Sequence, residues 1–264
     1  MTRFYVPQIQ LEQGRLKIEG GEVRHIRRVL RLLTGEEITI FDGSGKEYQG
    51  TIAELYPSAA VIAIHQLSYS KTESHLEITL AQSLLKGEKM DYLIQKATEL
   101  GVKRIVPFLS SRSVPFPEKE KRLKRHLRWE KIAIEASKQC GRGVLPKVES
   151  VQGYADMLES VAPEALRLIL WEKEGMGLQE VLKPLQEQKR VFFIVGPEGG
   201  LSDTEVQSAK ERGFIPILLG ERILRAETAS LCLLSILQYE WGDIGQKKRT
   251  NSLELALSTG KEGE

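Results

Sequence analysis

"RVFFIVGPEGGLSDTEV", residues 190–206, turns from apolar to glycine-rich to polar within one short stretch. Val191 to Val195 is a continuous apolar run, the pattern of a strand buried on both faces in a parallel sheet. Gly196, Pro197, Gly199 and Gly200 then break it. Ser202-Asp203-Thr204-Glu205 has the form of a capping box, in which Ser202 accepts from a free N–H of the first helical turn and Glu205 reaches back. The helix therefore starts after Ser202, and "GPEGGL" crosses from strand end to helix start. In open α/β sheets ligands sit at such carboxyl ends, and glycines let a ligand press against bare backbone.

The loop does not have the form of a phosphate site. It lacks the GK[ST] ending of a P-loop and the GxGxxG spacing of a dinucleotide fold, and Pro197 and Glu198 put rigidity and negative charge where a pyrophosphate would lie. A nucleoside bearing a cation suits it better; a plain connecting loop is the other reading. A second stretch, "LLGERILRAETAS" (218–230), follows the next strand and opens the last helix. Gly220 ends that strand. Ile223 and Leu224 are apolar residues in a turn, able to wall an adenine ring, and Arg225 and Glu227 stand at the helix entrance, where a simple salt bridge is the alternative. Two such loops at successive carboxyl ends favour a binding site.

Around these loops the chain alternates strand and helix. "HLEITLAQSL" and "RIVPFL" read as strands, and "GEKMDYLIQKATELG" as a helix with Met90, Leu93, Ile94, Ala97 and Leu100 at helical spacing. A long basic helix follows around "RLKRHLRWEKIAIEASKQ", and further helices near "YADMLESV" and "GLQEVLKPLQ", with the strands "LRLILWE" and "GFIPILLG". The pattern implies an α/β fold with a mainly parallel sheet covered on both faces. The last helix, "ETASLCLLSILQYEW", is apolar nearly all round, which demands burial in a core or a subunit interface. The first seventy or so residues instead carry short alternating strands, a turn at "DGSG" (42–45) and one helix, "EVRHIRRVLRLL", with Val23, Ile26, Val29, Leu30 and Leu33 on one side. That is a small β-barrel with one helix. "SYSKTES" (68–74) is polar enough to link the two parts. The expected division is 1–72, 73–243 and a polar tail, 244–264.

The chain has 264 residues and a formal charge of only +2. Between Lys86 and Lys147, however, 16 Lys and Arg face 7 Asp and Glu, an excess that suits a phosphate-rich partner or a solvated surface. Cys140 and Cys232 lie in no CxxC pair, which argues against a disulfide framework or a zinc ribbon. No stretch has membrane-spanning length, and "MTRFYVPQIQ" carries no signal-peptide core. The expectation is a cytoplasmic protein with no metal and no membrane.

The two glycine loops, together with "FYVP", "HIRRVLRLLTGEEI", "QSLLKGEKMDYLIQKATELGV", "SRSV" and "RWEKIAIEASKQCGR", occur in an order that resembles the RsmE family. These are SPOUT-superfamily methyltransferases that modify 16S ribosomal RNA. The resemblance runs through nearly the whole chain short of the tail past Trp241. Two departures, Leu85 where a proline is expected before Lys86 and Cys140 where serine is common, lie outside both loops. The resemblance implies a PUA-like barrel that helps hold RNA, followed by an α/β domain with a deep trefoil knot. It implies a homodimer with its active site near the subunit boundary, which makes the last helix interface, and S-adenosyl-L-methionine bound bent in the knot. The residues implied to hold it are Leu170, Glu172, Gly196, Pro197, Glu198, Gly199, Gly200, Leu219, Gly220, Ile223, Leu224, Arg225, Thr228 and Ala229.

The implied reaction is methylation of N3 of one uridine in 16S rRNA of the small ribosomal subunit. The N3 imide is a poor nucleophile until it loses its proton, so the site needs a base, or a cation beside the uracil oxygens. Arg225 is the candidate for anion stabilisation. Glu198 is the candidate base, or offsets the sulfonium charge. In-line transfer needs the base turned out of its stack, leaving affinity to phosphate contacts from Arg3, Arg27, Arg28, Arg31, Arg112 and Arg142. The alternatives are another RNA target, such as a ribose 2′-hydroxyl or a tRNA base, and an RNA-binding assembly factor without activity.

Overall fold

A computed structural model describes residues 2–113 and 119–246. The first sheet contains β1 (Thr2–Tyr5), β2 (Leu11–Glu12), β3 (Arg15–Glu19), β4 (Glu37–Phe41), β5 (Lys46–Leu55) and β6 (Ala59–Tyr69), in the order β1-β4-β5-β6-β3-β2. Only β1 and β4 run parallel. Alternation does what period two requires: Leu16 and Ile18 of β3 point inward, onto Phe4, Ile38, Ile40, Ile52 and Ile62. The helix of this part is shorter than its sequence pattern. An α-turn, α1 (Gly21–Arg24), continues as a π-helical stretch, His25–Leu30, and Arg31 stops it in the left-handed conformation (φ 56°). The wider π winding rotates later residues off the core face. Val23 and Ile26 are buried as expected, while Val29 and Leu33 are each 67% exposed.

The second sheet is parallel throughout. It comprises β7 (Glu77–Ser83), β8 (Arg104–Leu109), β9 (Lys147–Val148), β10 (Gln152–Gly153), β11 (Leu166–Leu170), β12 (Met176–Gly177), β13 (Arg190–Val195) and β14 (Ile215–Leu218). Their order is β10-β8-β7-β13-β11-β14-β12, with β9 also on the outer edge of β8. Val191–Val195 of β13 is buried on both faces. On one side Phe193 and Leu80 pack against α2 (Lys89–Glu99), α3 (Lys119–Cys140), α5 (Leu178–Leu182) and α7 (Ala226–Trp241). On the other, Phe192 and Ile194 pack against α4 (Tyr154–Glu159) and α6 (Asp203–Lys210). Each such side chain is worth about 1.5–3 kcal/mol when fully buried.

The order of the last strands carries the topology. β14 lies between β11 and β12, which are themselves joined by the short connection 171–175. β14 and α7 after it are therefore threaded through chain that precedes them, the trefoil knot that the family resemblance implies. Gly175 marks the crossing: a Cβ there would stand 3.0 Å from the carbonyl of Pro216 and 3.1 Å from the nitrogen of Ile217.

The polar stretch 68–74 is firmly tied. Its first residues extend β6, and the Glu73 carboxylate accepts from Arg142 Nη2 at 2.8 Å and from the Val144 N–H at 3.1 Å. Arg142 is buried; its Nη1 donates to the carbonyls of Thr98 and Val102, both at 2.9 Å. Arg3 donates to Glu47 (3.0 Å) and to the carbonyl of Arg142 (3.1 Å), and lies over the Phe41 ring. Lys138 of α3 reaches Glu22 of α1 at 3.0 Å. Polarity here serves ion pairing between the two sheets rather than solvation. Removing one partner of a buried pair strands the other's charge. Arg142→Leu should therefore lower stability by about 3 kcal/mol, read as a lower denaturation midpoint, whereas a surface arginine would leave the midpoint in place.

Candidate functional site

The parallel register brings three strand ends side by side. β13 and β14, successive in sequence, are not paired with each other; β11 sits between them. The glycine loop after β13, the end of β11 and the loop after β14 thus wall one cavity of about 500 Å³. The first wall is built by turn chemistry. Gly200 has φ +70°, its N–H closes on the Pro197 carbonyl at 2.9 Å, and a Cβ there would lie 2.5 Å from Glu172 Oε1. The expected capping box forms: Ser202 Oγ accepts from the Glu205 N–H (3.2 Å), and Glu205 Oε2 accepts from the Ser202 N–H (2.8 Å). Glu205 also accepts from the Ser111 N–H at 2.7 Å, which docks the 110–113 turn on the loop, and Arg112 Nη1 donates to the Gly199 carbonyl at 3.2 Å.

The second wall runs from Leu219 to Ala229. Gly220 takes φ +129° and Arg225 caps α7. Of the residues named from the sequence for cofactor binding, all but Thr228 line the cavity. Thr228 is exposed on α7: Ala226 and Ala229, three apart, share the inner face, and a 100° turn per residue carries Thr228 round to another side. Ile223 sits at the rim, 86% exposed. Sequence reasoning missed Trp171, Leu201, Glu221 and Arg222. Trp171 lies between the named Leu170 and Glu172; its ring packs under Lys210 of α6, and its Nε1 is buried without a hydrogen-bond partner.

Charge is distributed unevenly. The salt bridge that is the alternative reading of Arg225 and Glu227 is absent among the described residues. Glu227 faces Lys89 of α2, 3.6 Å away, and Lys89 also donates to Glu198 Oε1 at 3.0 Å. The Lys86 N–H adds a contact to the same oxygen at 3.2 Å. Lys89 thereby bridges the first loop and the start of α7. Burial raises the Glu198 pKa, but the Lys89 hydrogen bond, then the backbone N–H groups of Glu198 and Lys86, bring it below its ordinary 4.5. The Arg225 carbonyl accepts from the Ala229 N–H at 2.8 Å, but among the described residues its side chain makes no hydrogen bond or ion pair, so its guanidinium remains available at the cavity.

The arginines named for RNA divide. Two of them differ from the expectation: Arg142 is buried with its guanidinium bound by Thr98, Val102 and Glu73, and Arg3 is held through Nη2 by Glu47 and the Arg142 carbonyl, its Nε buried without a partner. Arg112 braces the glycine loop. Arg27 donates to the Pro57 carbonyl at 3.1 Å and is exposed, as are Arg28 and Arg31. Cys140 and Cys232 are free thiols. Among the described residues no group of three or more His, Cys, Asp and Glu could hold a metal, and no helix is long and apolar enough to cross a membrane.

An RNA methyltransferase domain matches residues 72–238, and an RNA methyltransferase PUA domain matches 18–64. Ribosomal RNA small subunit methyltransferase E of Bacillus subtilis is 30% identical over 248 residues, 91% of this chain and 97% of that protein. The crystal structure of the protein of the same name from Neisseria gonorrhoeae is 38% identical, covers 92% of this chain and 99% of its own, and superposes with a TM-score of 0.84. The chain belongs to the RsmE family of RNA methyltransferases. The Neisseria protein was crystallised with S-adenosyl methionine, as was a Legionella pneumophila methyltransferase that is 34% identical, with a TM-score of 0.85 over 92% of this chain and all of the other. Family membership accounts for the parallel knotted sheet and for the PUA part before it.

Lys89 sets the state of Glu198, and NMR titration of the carboxyl carbons reads it. A carboxylate whose folded pKa is depressed adds stability above the unfolded value, here about 4.5, and loses it as pH falls through the folded value. In Lys89→Met the burial effect stands without its main opponent, so the Glu198 pKa should rise and that acid-side contribution should vanish.

Proposed function

We propose that this chain is an S-adenosyl-L-methionine-dependent methyltransferase acting on N3 of one uridine in 16S rRNA of the small ribosomal subunit. One observation carries the reading: two glycine loops and the end of β11 enclose a single cavity, in a chain whose relatives hold S-adenosyl methionine. The lining fits that molecule. Gly196–Gly200 and Leu219–Gly220 offer backbone donors and acceptors, and Leu224, Ala226 and Ala229 an apolar bed for a purine. Glycine is favoured at position 200 because its φ of +70° is a conformation that residues with a Cβ rarely adopt.

When bound, the cofactor supplies an electrophilic methyl on a sulfonium. The protein then has two tasks, to hold the uracil in line and to stabilise its imide as an anion once the N3 proton has passed to water. Arg225, free of internal partners beside the cavity, offers the cation at a uracil oxygen. Glu198 serves as a fixed negative charge rather than as the base, because its lowered pKa makes it a weaker proton acceptor. Glu198, which lines the cavity, would also offset the sulfonium charge.

In this reading residues 1–72 hold RNA, with Arg27, Arg28 and Arg31 on phosphate, and residues 73–243 carry the chemistry; from 247 on, the tail 244–264 lies outside the described residues. The enzyme works in the cytoplasm as a homodimer. Support for the dimer comes from α7, which buries Leu233, Leu234 and Leu237 within the chain, yet leaves Tyr239 70% exposed and Leu231, Cys232 and Ile236 partly so. Mass spectrometry of small-subunit rRNA from cells with and without the gene tests the target base and atom; loss of a ribose or tRNA methyl instead would reassign it. Arg225→Ala should still bind S-adenosyl-L-methionine by calorimetry while kcat falls roughly 100-fold; undiminished turnover removes Arg225 from the chemistry.

A further inference from the structure

The first half of α3 projects from the molecule and carries a charge pattern that a lone helix disfavours. Residues 121–131 contain six Lys and Arg against one carboxylate, Glu130. Every residue from Lys121 to Arg125 is exposed, and Leu123 and Leu127 are 59% and 54% exposed. Lys121 and Arg125, and Lys124 and Arg128, stand four apart as like-charged pairs, which destabilises a helix. Glu120 in the first turn suits the macrodipole, but the positive charge of the turns that follow opposes it. Among the described residues the side chains of Lys121, Lys124, Arg125 and Lys131 make no hydrogen bond or ion pair, and of the two like-charged pairs only Arg128, held by Asp91, has its charge offset.

The position of the arm follows from its anchor. Arg128 Nε and Trp129 Nε1 both donate to Asp91, at 2.7 and 3.1 Å, in the first turn of α2. Beyond the far end of α3, Arg142 meets Thr98 near the end of α2, so the two helices run side by side in the same direction. At 1.5 Å per residue, Lys121 reaches roughly 10 Å past that anchor. The overhang lies at the end of the sheet where Lys89, two residues before Asp91, touches Glu198 of the glycine loop.

We propose that this arm is a phosphate-binding surface, which grips substrate RNA beside the cavity mouth through Lys121, Lys124, Arg125 and Lys131. A polyanion is the partner whose charge relieves both the like-charged pairs and the opposed dipole. The inference rests on the reading of the chain as an rRNA methyltransferase and adds a contact surface separate from the arginines of the first sheet.

The test compares the full chain with the variant Lys121→Gln, Lys124→Gln, Arg125→Gln, Lys131→Gln. Arg128 is kept, so that the anchor to Asp91 stays. Binding to transcribed 16S rRNA is measured over a salt series, and S-adenosyl-L-methionine binding by calorimetry. Loss of four phosphate contacts should make the slope of log K against log salt shallower by about 3, with RNA affinity at 0.1 M salt at least roughly tenfold weaker and cofactor affinity unchanged. An unaltered slope overturns the proposal. So does an RNA slope left intact while Leu123→Ser with Leu127→Ser changes the sedimentation of the protein, which would assign the face to a second copy of the chain. Should the unaltered protein bind RNA but no cofactor, the proposed activity fails, while the slope comparison still decides the arm.

Discussion

The constraint on which this molecule depends is the insertion of β14 between two strands already joined to each other. It forces the 171–175 connection to pass over the backbone of Pro216 and Ile217 at 3.0–3.1 Å from where a side chain would start, a passage open to Gly175 and closed to other residues without a shift. It also sets β11 between β13 and β14. The three carboxyl ends then lie in one row, and the loops leaving them have a common space to enclose. Ligand sites at strand ends in α/β sheets arise from such placement; threading adds that the walls are held by backbone laid across backbone.

Around that passage the polar residues divide into those that hold the frame and those left for chemistry. Glu205 caps α6 and fixes the 110–113 turn; Arg112 braces the glycine loop; Lys89 links Glu198 to the start of α7. Arg142, Glu73 and Arg3 tie the two sheets together. With these engaged internally, Arg222 and Arg225 are the arginines at the cavity that have no side-chain partner among the described residues, and Arg225 is the one at the start of α7. Preorganised charge in a partly enclosed site is worth more than the same charge in water, which gives that freedom its value for catalysis.

Much of this was legible in the chain itself, and the reasons are local. The capping box at Ser202 and the apolar run of β13 depend on near neighbours, and both form as read. The glycine loops were recognisable because glycine and an N-cap residue mark where a strand stops and a helix starts. Less local features were misjudged. The helix at 22–33 followed a 3.6-residue period on paper, but a π-helical stretch displaced Val29 and Leu33 to the surface. Arg142 read as a surface cation, since nothing near it in sequence reveals Glu73, Thr98 and Val102 around it.

Sequence alone determined the alternation of strand and helix, the two loops, the α/β class and, through motif order, the family, because each rests on residue type and short-range spacing. Only the tertiary structure decided that β11 separates β13 from β14, that Trp171 joins the cavity while Thr228 turns away, and that Glu198 belongs to Lys89. Those outcomes depend on which distant segments become neighbours, and it is the threading of the sheet, rather than any local propensity, that makes them so.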